Sequence, residues 1–337
     1  MNAMRNVLVA AALAALAPAA LAQTFEMKLG FATINDSQHE VAKLFAAEMD
    51  RKTNGAVQVK IFPAAQLGSI VRQFEGVQLG TQEAVFSPGG FIVGINPAFQ
   101  VPDAPGLFES IWHQQKAMNH PAVREKFLGL AEHAGIKGVF LWAAGNTGIA
   151  TRTPVKSLAD LKGMKIRVLA SKMESAFMAS LDATGVPMEF TEVLPAIQQR
   201  TLDGVRTGLI VLSPTKTYTA AKYFYAEPTG HIATAMWVSR AWFDKLPANL
   251  QAAVLEVGRA MADPACLVAI EINDRARKTW TDNGGEITEP TPEDRAIIVA
   301  RARALTDEFL GSDPRVKDMY ALVKQAAADT AGAKPPR

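Results

Sequence analysis

One arginine stands out among the residues that could do chemistry. Arg167 lies in the segment 164–169, whose apolar residues predict a buried strand. Alternate residues of a strand share a face, so Arg167 and Lys165 would lie together, with Ile166 and Val168 pointing to the core. A guanidinium offers two parallel N–H donors that match both oxygens of a carboxylate, a geometry that lysine lacks. The residues alone leave two interpretations open: Arg167 binds the carboxylate of a ligand, or it faces solvent and pairs with an acid of the protein.

Motifs for other chemistries are absent from the sequence. It has no phosphate-binding loop G-x-x-x-x-G-K-[ST], no G-x-G-x-x-G after a strand, no H-E-x-x-H and no G-x-S-x-G. None of the five histidines form an i, i+4 pair, and Cys266 lies in an apolar stretch typical of a buried thiol. We therefore expect no metal, no cofactor and no catalytic residue. A secreted enzyme whose catalytic groups come from remote positions stays an alternative.

Length and composition indicate a globular protein. The 337 residues favour two domains of ordinary size or one large one. Hydrophobic residues make up 49% of the chain, which argues against a disordered protein. The net charge is +2, from 35 Lys and Arg against 33 Asp and Glu, so we expect no nucleic acid partner. The single cysteine excludes an internal disulfide.

The first residues have the order of an export signal. Arg5 precedes an apolar run at 7–16, and the segment 20–22 presents small residues at the two positions that a signal peptidase reads. The run is too short for a comfortable membrane span. We expect a signal peptide over residues 1–22, cleavage near Ala22, and a mature protein in the periplasm.

Predicted strands and helices alternate along the first two thirds of the chain. The strands are expected at 27–32, 57–61, 83–87, 137–143, 164–169, 187–190, 205–212 and 232–238. The helices are expected between 37 and 53, at 69–79, at 171–182, after Thr191, at 247–283, after Thr291 and after Asp313. This order indicates the α/β class with mostly parallel sheets. Two such units facing each other across a cleft would suit a solute receptor.

Several short segments, in order along the chain, resemble one protein family. The segment 160–168, DLKGMKIRV, resembles the signature D-L-K-G-x-K-I-R-V of the extracytoplasmic solute receptors of TRAP transporters, the DctP-type family. The segments 62–68 and 78–81 resemble its F-P-x-x-Q-L-G and Q-L-G-T motifs, and 202–204 is similar to its V-D-G. The segments 229–231 and 243–247 match it as well. Each motif alone is weak, but the ordered set covers nearly the whole mature chain.

The resemblance implies a two-lobed periplasmic binding protein-like fold of the Venus flytrap kind. Lobe I is then expected over 23–148 plus about 236–270, and lobe II over 149–235 plus about 271–327. The long helix at 247–283 would span both lobes, and the tail 328–337 would be flexible.

The resemblance also implies a function. Such a receptor closes on an organic acid in the periplasm and delivers it to the small and large subunits of a TRAP membrane permease. We expect a monocarboxylate with an apolar or aromatic body, with a hydroxylated sugar acid or an oxo acid as the rival. A sensory receptor that signals to a membrane kinase is an alternative.

The family assigns the carboxylate contact to the arginine of its K-I-R-V motif, which is Arg167 here. The chain departs from the family at other positions. Asn146 stands where many members have a second arginine, and Leu194 stands where many have tyrosine. Val205, Arg206 and Thr207 stand where many members have the Q-E-N that follows V-D-G. Arg206 could restore the missing positive charge or simply face solvent.

Further ligand-binding candidates lie at the ends of predicted strands, where packing or capping is the alternative role for each. A helix that starts beside such a strand end also favours an anion. These candidates are Phe86, Ser87, Phe190, Asn35, Gln38 and His39.

Overall fold

The computed structural model describes residues 23–336, so the expected signal peptide lies outside the described residues. Its strands are β1 (Phe25–Gly30), β2 (Val57–Phe62), β3 (Ala84–Ser87), β4 (Ile136–Asn146), β5 (Gly148–Thr151), β6 (Lys165–Val168), β7 (Thr184–Pro187), β8 (Gly204–Thr207), β9 (Tyr223–Tyr225), β10 (His231–Ser239) and β11 (Glu286–Thr288). Its helices are α1 (Ser37–Thr53), α2 (Ile70–Leu79), α3 (Ile111–Met118), α4 (Pro121–Gly129), α5 (Lys172–Ser180), α6 (Phe190–Gln198), α7 (Leu209–Leu212), α8 (Arg240–Phe243), α9 (Ala248–Asp282), α10 (Pro292–Ser312) and α11 (Lys317–Asp329).

Two mixed sheets form the cores of two α/β lobes. Within residues 23–336, the sheet of lobe I has the order β2-β1-β3-β10-β4, and the sheet of lobe II has the order β11-β9-β5-β8-β6-β7. In lobe I, β10 is antiparallel to both of its neighbours, and the β1 pairs are parallel. In lobe II, β5 is the strand that runs antiparallel to its neighbours. The fold is therefore α/β and two-lobed, with mostly parallel sheets.

Two of the short connections between the lobes lie side by side. Thr147 alone separates β4 from β5, and residues 226–230 connect β9 to β10. The two crossings touch, because the Thr147 N–H donates to the carbonyl of Gly230 at 2.9 Å. β5 and β10 are the antiparallel strands because each enters its sheet directly from the other lobe.

The lobe boundaries differ from the expected ones at two places. β10 pairs with β4 from His231 onward, so residues 231–235 belong to the sheet of lobe I. α11 packs against α3 and α4 of lobe I, whereas α10 packs against α5 of lobe II. A strand pairs along its whole length, so the crossing falls before residue 231 and not after 235.

The 35-residue helix α9 confirms the expectation of a long helix that contacts both lobes. It packs on α1 and β4 in lobe I and on α7 and β11 in lobe II. The approach to β4 needs a glycine, since a Cβ at Gly258 would lie 2.5 Å from the Val139 Cγ1 atom. Buried residues such as Val254 and Met261 follow the helical spacing that predicts one apolar stripe.

Three local expectations are corrected by the structure. The predicted strand 205–212 ends at Thr207, and the apolar run after Gly208 forms the single turn α7. A Cβ at Gly208 would lie 2.4 Å from the Asn146 carbonyl, so the chain turns where it passes the first crossing. The strand expected at 187–190 lies at 184–187, and α6 begins at Phe190 with Glu189 as its N-cap residue, not Thr191.

Candidate functional site

A cavity of about 60 Å³ lies between the lobes, at the carboxyl ends of β1, β3, β6 and β8. Ligand sites in α/β sheets form at this edge, because the loops there leave a crevice. Lobe I contributes Ala32, Thr33, Asp36, Ser37, Gln38, Ile70, Phe86, Pro88, Phe91, Ala144, Ile232 and Thr234. Lobe II contributes Arg167, Leu169, Phe190, Thr207, Ile210 and Val211.

Arg167 is a buried cation at this cavity. It lies on β6, between β7 and β8, and is 1% exposed. Its Nε donates to the Met188 carbonyl at 2.8 Å, whereas Nη2 has no partner among the described residues. Its guanidinium carbon lies 5.8 Å from the centre of the Phe190 ring. The backbone thus holds the Nε donor, and Nη2 remains able to bind an acceptor.

The charge of Arg167 is only partly compensated. Burial lowers the pKa of its guanidinium to about 10, and the carboxylates of Glu174 and Glu189 oppose this shift from a distance. Arg167 therefore stays protonated at neutral pH. A buried cation without a close counter-ion favours binding of an anion, because the anion replaces the lost hydration.

Polar groups of lobe I line the other part of the cavity. Asp36 caps α1 and is 1% exposed, and its Oδ1 accepts a hydrogen bond from the His39 N–H at 3.2 Å. Gln38 donates from Nε2 to the Thr33 hydroxyl at 2.9 Å, and its buried Oε1 has no partner in the described part of the chain. Burial raises the pKa of Asp36, although hydrogen bonds with Thr33, His39 and Gln38 oppose the rise.

The sequence prediction missed Asp36 as a lining residue. The turn residues 35–37 predict only a helix cap, and Asp36 is indeed the N-cap residue of α1. A cap residue that follows the first strand of an α/β lobe also lies at the ligand edge of the sheet. Its position after a strand is therefore the signal that could have found it.

The remaining walls of the cavity are apolar. Phe86, fully buried, packs edge-on against Trp142 with ring centres 5.0 Å apart and stacks on Phe31 at 6.1 Å. These contacts fix the Phe86 ring as a rigid wall. The hydrophobic lining from lobe II includes Leu169 and Ile210.

The structure brings five of the predicted residues to this cavity: Arg167, Thr207, Phe86, Phe190 and Gln38. Six others lie elsewhere. Leu194 lines an adjacent cavity of about 220 Å³, and Asn35 and Asn146 are exposed beside separate surface cavities. His39 is half-buried, and its Nδ1 accepts from the Asn35 N–H at 3.2 Å. The buried Ser87 hydroxyl donates to the Pro88 carbonyl at 3.0 Å.

Arg206, the sixth, is neither a cavity residue nor a solvent-facing one. It is 2% exposed, and its Nη1 donates to both oxygens of Glu174 at 2.7 and 2.6 Å. Its Nε and Nη2 donate to Glu227 Oε1 at 3.1 and 2.6 Å. Two carboxylates therefore occupy the guanidinium. The sequence prediction missed both acids because they lie far from Arg206 in sequence and carry no local motif.

The same cluster ties the two crossings together. The Thr147 hydroxyl donates to Glu227 Oε1 at 2.8 Å, and the Thr229 N–H and hydroxyl donate to Oε2 at 2.9 and 2.7 Å. Although burial raises the pKa of Glu227, Arg206 and these hydrogen bonds bring it below its ordinary value. We call Glu174, Arg206, Glu227 and Thr147 the hinge cluster.

Two α/β lobes, joined by paired crossings and enclosing a buried cation between them, define a two-lobed solute-binding protein. The model of the family described as bacterial extracellular solute-binding protein, family 7, matches residues 30–313. The chain belongs to this family.

Named relatives cover nearly the whole chain. The 2,3-diketo-L-gulonate-binding periplasmic protein YiaO of Escherichia coli (strain K12) is 27% identical over 94% of this chain and 96% of its own length. The C4-dicarboxylate-binding periplasmic protein DctP of Rhodobacter capsulatus is 29% identical over 94% of this chain and 95% of its own length. A TRAP solute-binding protein of Xanthobacter autotrophicus, solved with bound β-D-galacturonate, superimposes with a TM-score of 0.81 at 25% identity, over 89% of this chain and 99% of its own.

The family membership confirms the expectation of a TRAP-type receptor. The protein is an extracytoplasmic binding protein for small organic acids that works with membrane permeases, and it is not an enzyme. Among residues 23–336, no helix combines the length and apolar character that crossing a bilayer requires. No group of three or more metal-ligating side chains occurs in that range.

Proposed function

We propose that the protein binds a monocarboxylate with an apolar body and that Arg167 anchors its carboxylate. The observation that carries this proposal is the unpartnered Nη2 of Arg167, a buried donor on a cation that lines the inter-lobe cavity. A carboxylate that accepts from Nη2 would gain a charge-assisted hydrogen bond and would compensate the buried charge.

The charges around the cavity favour one carboxylate over two. Among its lining residues, Arg167 is the only lysine or arginine. Arg206, the other candidate cation, is held by Glu174 and Glu227 in the hinge cluster. A second carboxylate would lose its hydration without gaining a cationic partner, which is unfavourable in a closed site.

The walls favour an apolar or aromatic body. Phe86, Phe91, Phe190 and aliphatic side chains from both lobes enclose the space beside Arg167. A heavily hydroxylated sugar acid would bury several hydroxyl groups against these walls without hydrogen-bond partners. A relative solved with galacturonate keeps a sugar acid as the rival ligand.

Capture is expected to proceed by closure of the lobes. Arg167 comes from lobe II, while Gln38 and Phe86 come from lobe I, so the full set of contacts exists only when the lobes meet. A ligand that binds the closed form more tightly shifts the population towards it. We also propose removal of the signal peptide near Ala22, periplasmic action, and delivery to a permease of one small and one large subunit.

A thermal-shift screen over organic acids tests the proposal. A ligand at about 100 times its dissociation constant adds about 2.7 kcal/mol to the free energy of unfolding. Aliphatic and aryl monocarboxylates should stabilise the protein more than succinate or galacturonate. Stabilisation by the dicarboxylate or the sugar acid alone, or by no acid, would refute it. Uptake of the acid is then measured in a strain that lacks the permease genes. Loss of uptake supports a role in transport, and unchanged uptake supports the sensory alternative.

A further inference from the structure

Asp103 is a buried acid of lobe I that lies at the boundary with lobe II. It ends the 3₁₀ helix Pro97–Asp103, which packs against residues 89–92, β10 and α11 of lobe I. A Cβ placed on Gly90 would lie 3.4 Å from Asp103 Oδ2 and 4.0 Å from the Leu169 Cβ atom of lobe II. Leu169 lines the inter-lobe cavity. The carboxyl group of Asp103 therefore lies one layer behind the cavity, where the two lobes meet.

The charged side chains buried in the protein include more acids than cations. Within residues 23–336, the buried lysine and arginine side chains are Arg167 and Arg206. The buried acids in the same range are Asp36, Asp103, Glu174 and Glu227. All six lie at the inter-lobe cavity, in the hinge cluster or beside it. A ligand carboxylate that enters the cavity adds a further negative charge to a region in which acids already outnumber cations.

Three of the four buried acids have donors that stabilise their charge. Glu174 and Glu227 accept hydrogen bonds from Arg206 in the hinge cluster. Asp36 accepts from a backbone N–H at the N-terminus of α1, although burial raises the pKa of its carboxyl. A carboxylate that accepts such hydrogen bonds keeps its charge more readily. Asp103 is therefore the acid most easily neutralised by a proton.

The Asp103 carboxyl group is only partly hydrogen-bonded. Its Oδ1 has no partner among the described residues. Burial raises the pKa of this carboxyl well above the usual range, and Glu174 of lobe II raises it further, while the Ala233 N–H and Arg206 oppose the rise. Lys172, the other charged residue of α5, is exposed. A proton on Asp103 removes both the cost of a buried charge and the repulsion from Glu174.

The neighbouring elements of lobe I add no cation beside Asp103. Residues 89–92 contain no titratable side chain. β10 contributes His231, and burial lowers the pKa of its ring to about 4, so the ring is neutral at pH 7. The lysines and aspartates of α11 are exposed, and its buried Tyr320 donates its hydroxyl to Asp307 at 2.7 Å.

Helix α3 also touches the 3₁₀ helix, since Gln114 Nε2 donates to the Pro102 carbonyl at 2.8 Å. The titratable side chains of α3 have other partners. The ring of His113 bonds to a carbonyl of α11, and Lys116 pairs with Asp263. Across the lobe boundary, the buried carboxyl group thus faces one acid and an arginine that is already paired.

We propose that Asp103 takes up a proton when the lobes close, so that capture of an acid is coupled to proton binding. When the lobes separate, Glu174 moves away and water reaches the Asp103 carboxylate, which then ionises. Closure removes this water and brings the two carboxyl groups together. The proton comes from solvent and returns to it on opening. This inference rests on the proposed capture of a carboxylate between the lobes and adds a proton to the same event.

Calorimetry in two buffers measures this proton. The probes are phenylacetate, an apolar monocarboxylate, and galacturonate, the acid bound by the Xanthobacter relative. At about pH 7, the binding enthalpies in phosphate and in Tris differ in proportion to the protons taken up. We expect an uptake of about 0.5–1 proton per acid bound, and a dissociation constant that rises at least about fivefold from about pH 6 to about pH 8. Binding without proton uptake would overturn the inference and leave the anchor at Arg167 intact.

Two variants assign the proton to a residue. Asp103→Asn keeps the size and the neutrality of the protonated acid, so the uptake should fall close to zero, and the dissociation constant should lose most of its dependence on pH. Asp36→Asn changes the other buried acid whose pKa is raised, and the uptake should persist in it. Uptake that persists in Asp103→Asn, or that disappears only in Asp36→Asn, would overturn the inference.

The proposed function and this inference fail separately. Binding of galacturonate and not of phenylacetate, with proton uptake, would refute the apolar monocarboxylate and support the role of Asp103. If neither probe nor any other acid of the thermal-shift screen binds, the proposed function fails together with the inference.

Discussion

Arg206 and Glu174 form a two-point contact inside lobe II, in which Nη1 lies 2.7 and 2.6 Å from the two carboxylate oxygens. Both side chains are 2% exposed. The positive charge of Arg206 is thus neutralised by acids within the protein. The inter-lobe cavity keeps Arg167 as its cation. This division of roles between two buried arginines is the basis of the next two predictions.

Replacing Arg206 should destabilise the protein severely. Arg206→Met leaves Glu174 and Glu227 buried without a counter-ion, and we expect a loss of about 3–5 kcal/mol in the free energy of unfolding. Urea denaturation measures this loss. Arg301→Met is the control, because the exposed Arg301–Asp182 pair should contribute less than about 1 kcal/mol. A loss in Arg206→Met no larger than in the control would contradict the importance of the hinge cluster.

Arg167→Lys should separate binding from folding. The ammonium keeps a positive charge but lacks the fork, so we expect the dissociation constant for the acid to rise at least about tenfold, or about 1.4 kcal/mol. Calorimetry reports the affinity and urea denaturation the stability, which should change far less. Arg152→Lys, at the partly exposed pair with Asp203, should leave the affinity unchanged. Wild-type affinity in Arg167→Lys would contradict the proposal that Arg167 anchors the carboxylate of the ligand.

Gly230 should tolerate no side chain. A Cβ there would lie 1.7 Å from Thr147 Oγ1 and 2.2 Å from Arg206 Nη2, in the middle of the hinge cluster. Gly230→Ala should therefore lower the free energy of unfolding by more than about 2 kcal/mol. Gly311 is the matched control: it lies in α10, where an added Cβ would meet no atom within 4 Å, so Gly311→Ala should stabilise by about 0.5–1 kcal/mol. Similar effects of the two changes in thermal unfolding would refute the prediction.

Asp103 should make stability depend on pH. Burial raises the pKa of its carboxyl well above the usual range, and Glu174 raises it further, while the Ala233 N–H and Arg206 oppose the rise. An acid with a higher pKa in the folded state contributes stability below its unfolded pKa, and this contribution is lost as the pH rises through the folded pKa.

Asp103→Asn should therefore be more stable than the wild type at about pH 8 and similar to it at about pH 4. Urea denaturation at a series of pH values measures the difference between the two proteins, which cancels the titration of groups common to both. A difference that stays constant across the series would show that Asp103 does not titrate in this way.

Cys266 should be unreactive in the folded protein. It is fully buried on α9, and burial, assisted by Asp263, raises the pKa of its thiol to about 12. A thiol reagent such as DTNB should react with no thiol in the native protein and with one per chain in denaturant. Rapid reaction without denaturant would show that α9 separates from lobe I under native conditions.

Much of the architecture was predictable because its signals are local. Apolar and polar residues alternate at 57–61, which predicts β2 closely. The helix cap at residue 36 predicts the start of α1, and Pro247 is the residue before α9. The strand expected through residue 212 was wrong beyond Thr207. The apolar residues after Gly208 indicate burial, but they do not distinguish a strand from a helix. The chain turns there because it passes close to Asn146, which lies far earlier in the sequence.

The candidate site was predictable where one residue carries its own signal. Arg167 lies on a strand in a recognisable motif, so its place at the cavity was expected. The role of Arg206 could not be predicted, because it depends on Glu174 from α5 and Glu227 from the second crossing. These three residues come together only in the folded protein, and the pattern of apolar and polar residues in the sequence does not predict their contact.

Helix α9 is attached unequally to the two halves of the molecule. From Leu250 to Ile272 its buried residues belong to the core of lobe I, whereas Ala276 and Trp280 alone extend its buried stripe into the core of lobe II. Trp280 is fully enclosed there, and its ring nitrogen donates to the Lys222 carbonyl at 3.1 Å. The helix is thus about 50 Å long and packs on lobe I along most of its length. Near its C-terminal end, the indole of Trp280 anchors it in the core of lobe II. A small tilt of the part that packs on lobe I produces a larger displacement at the C-terminal end of the helix. Movement of the lobes relative to each other would therefore change the packing around Trp280 most.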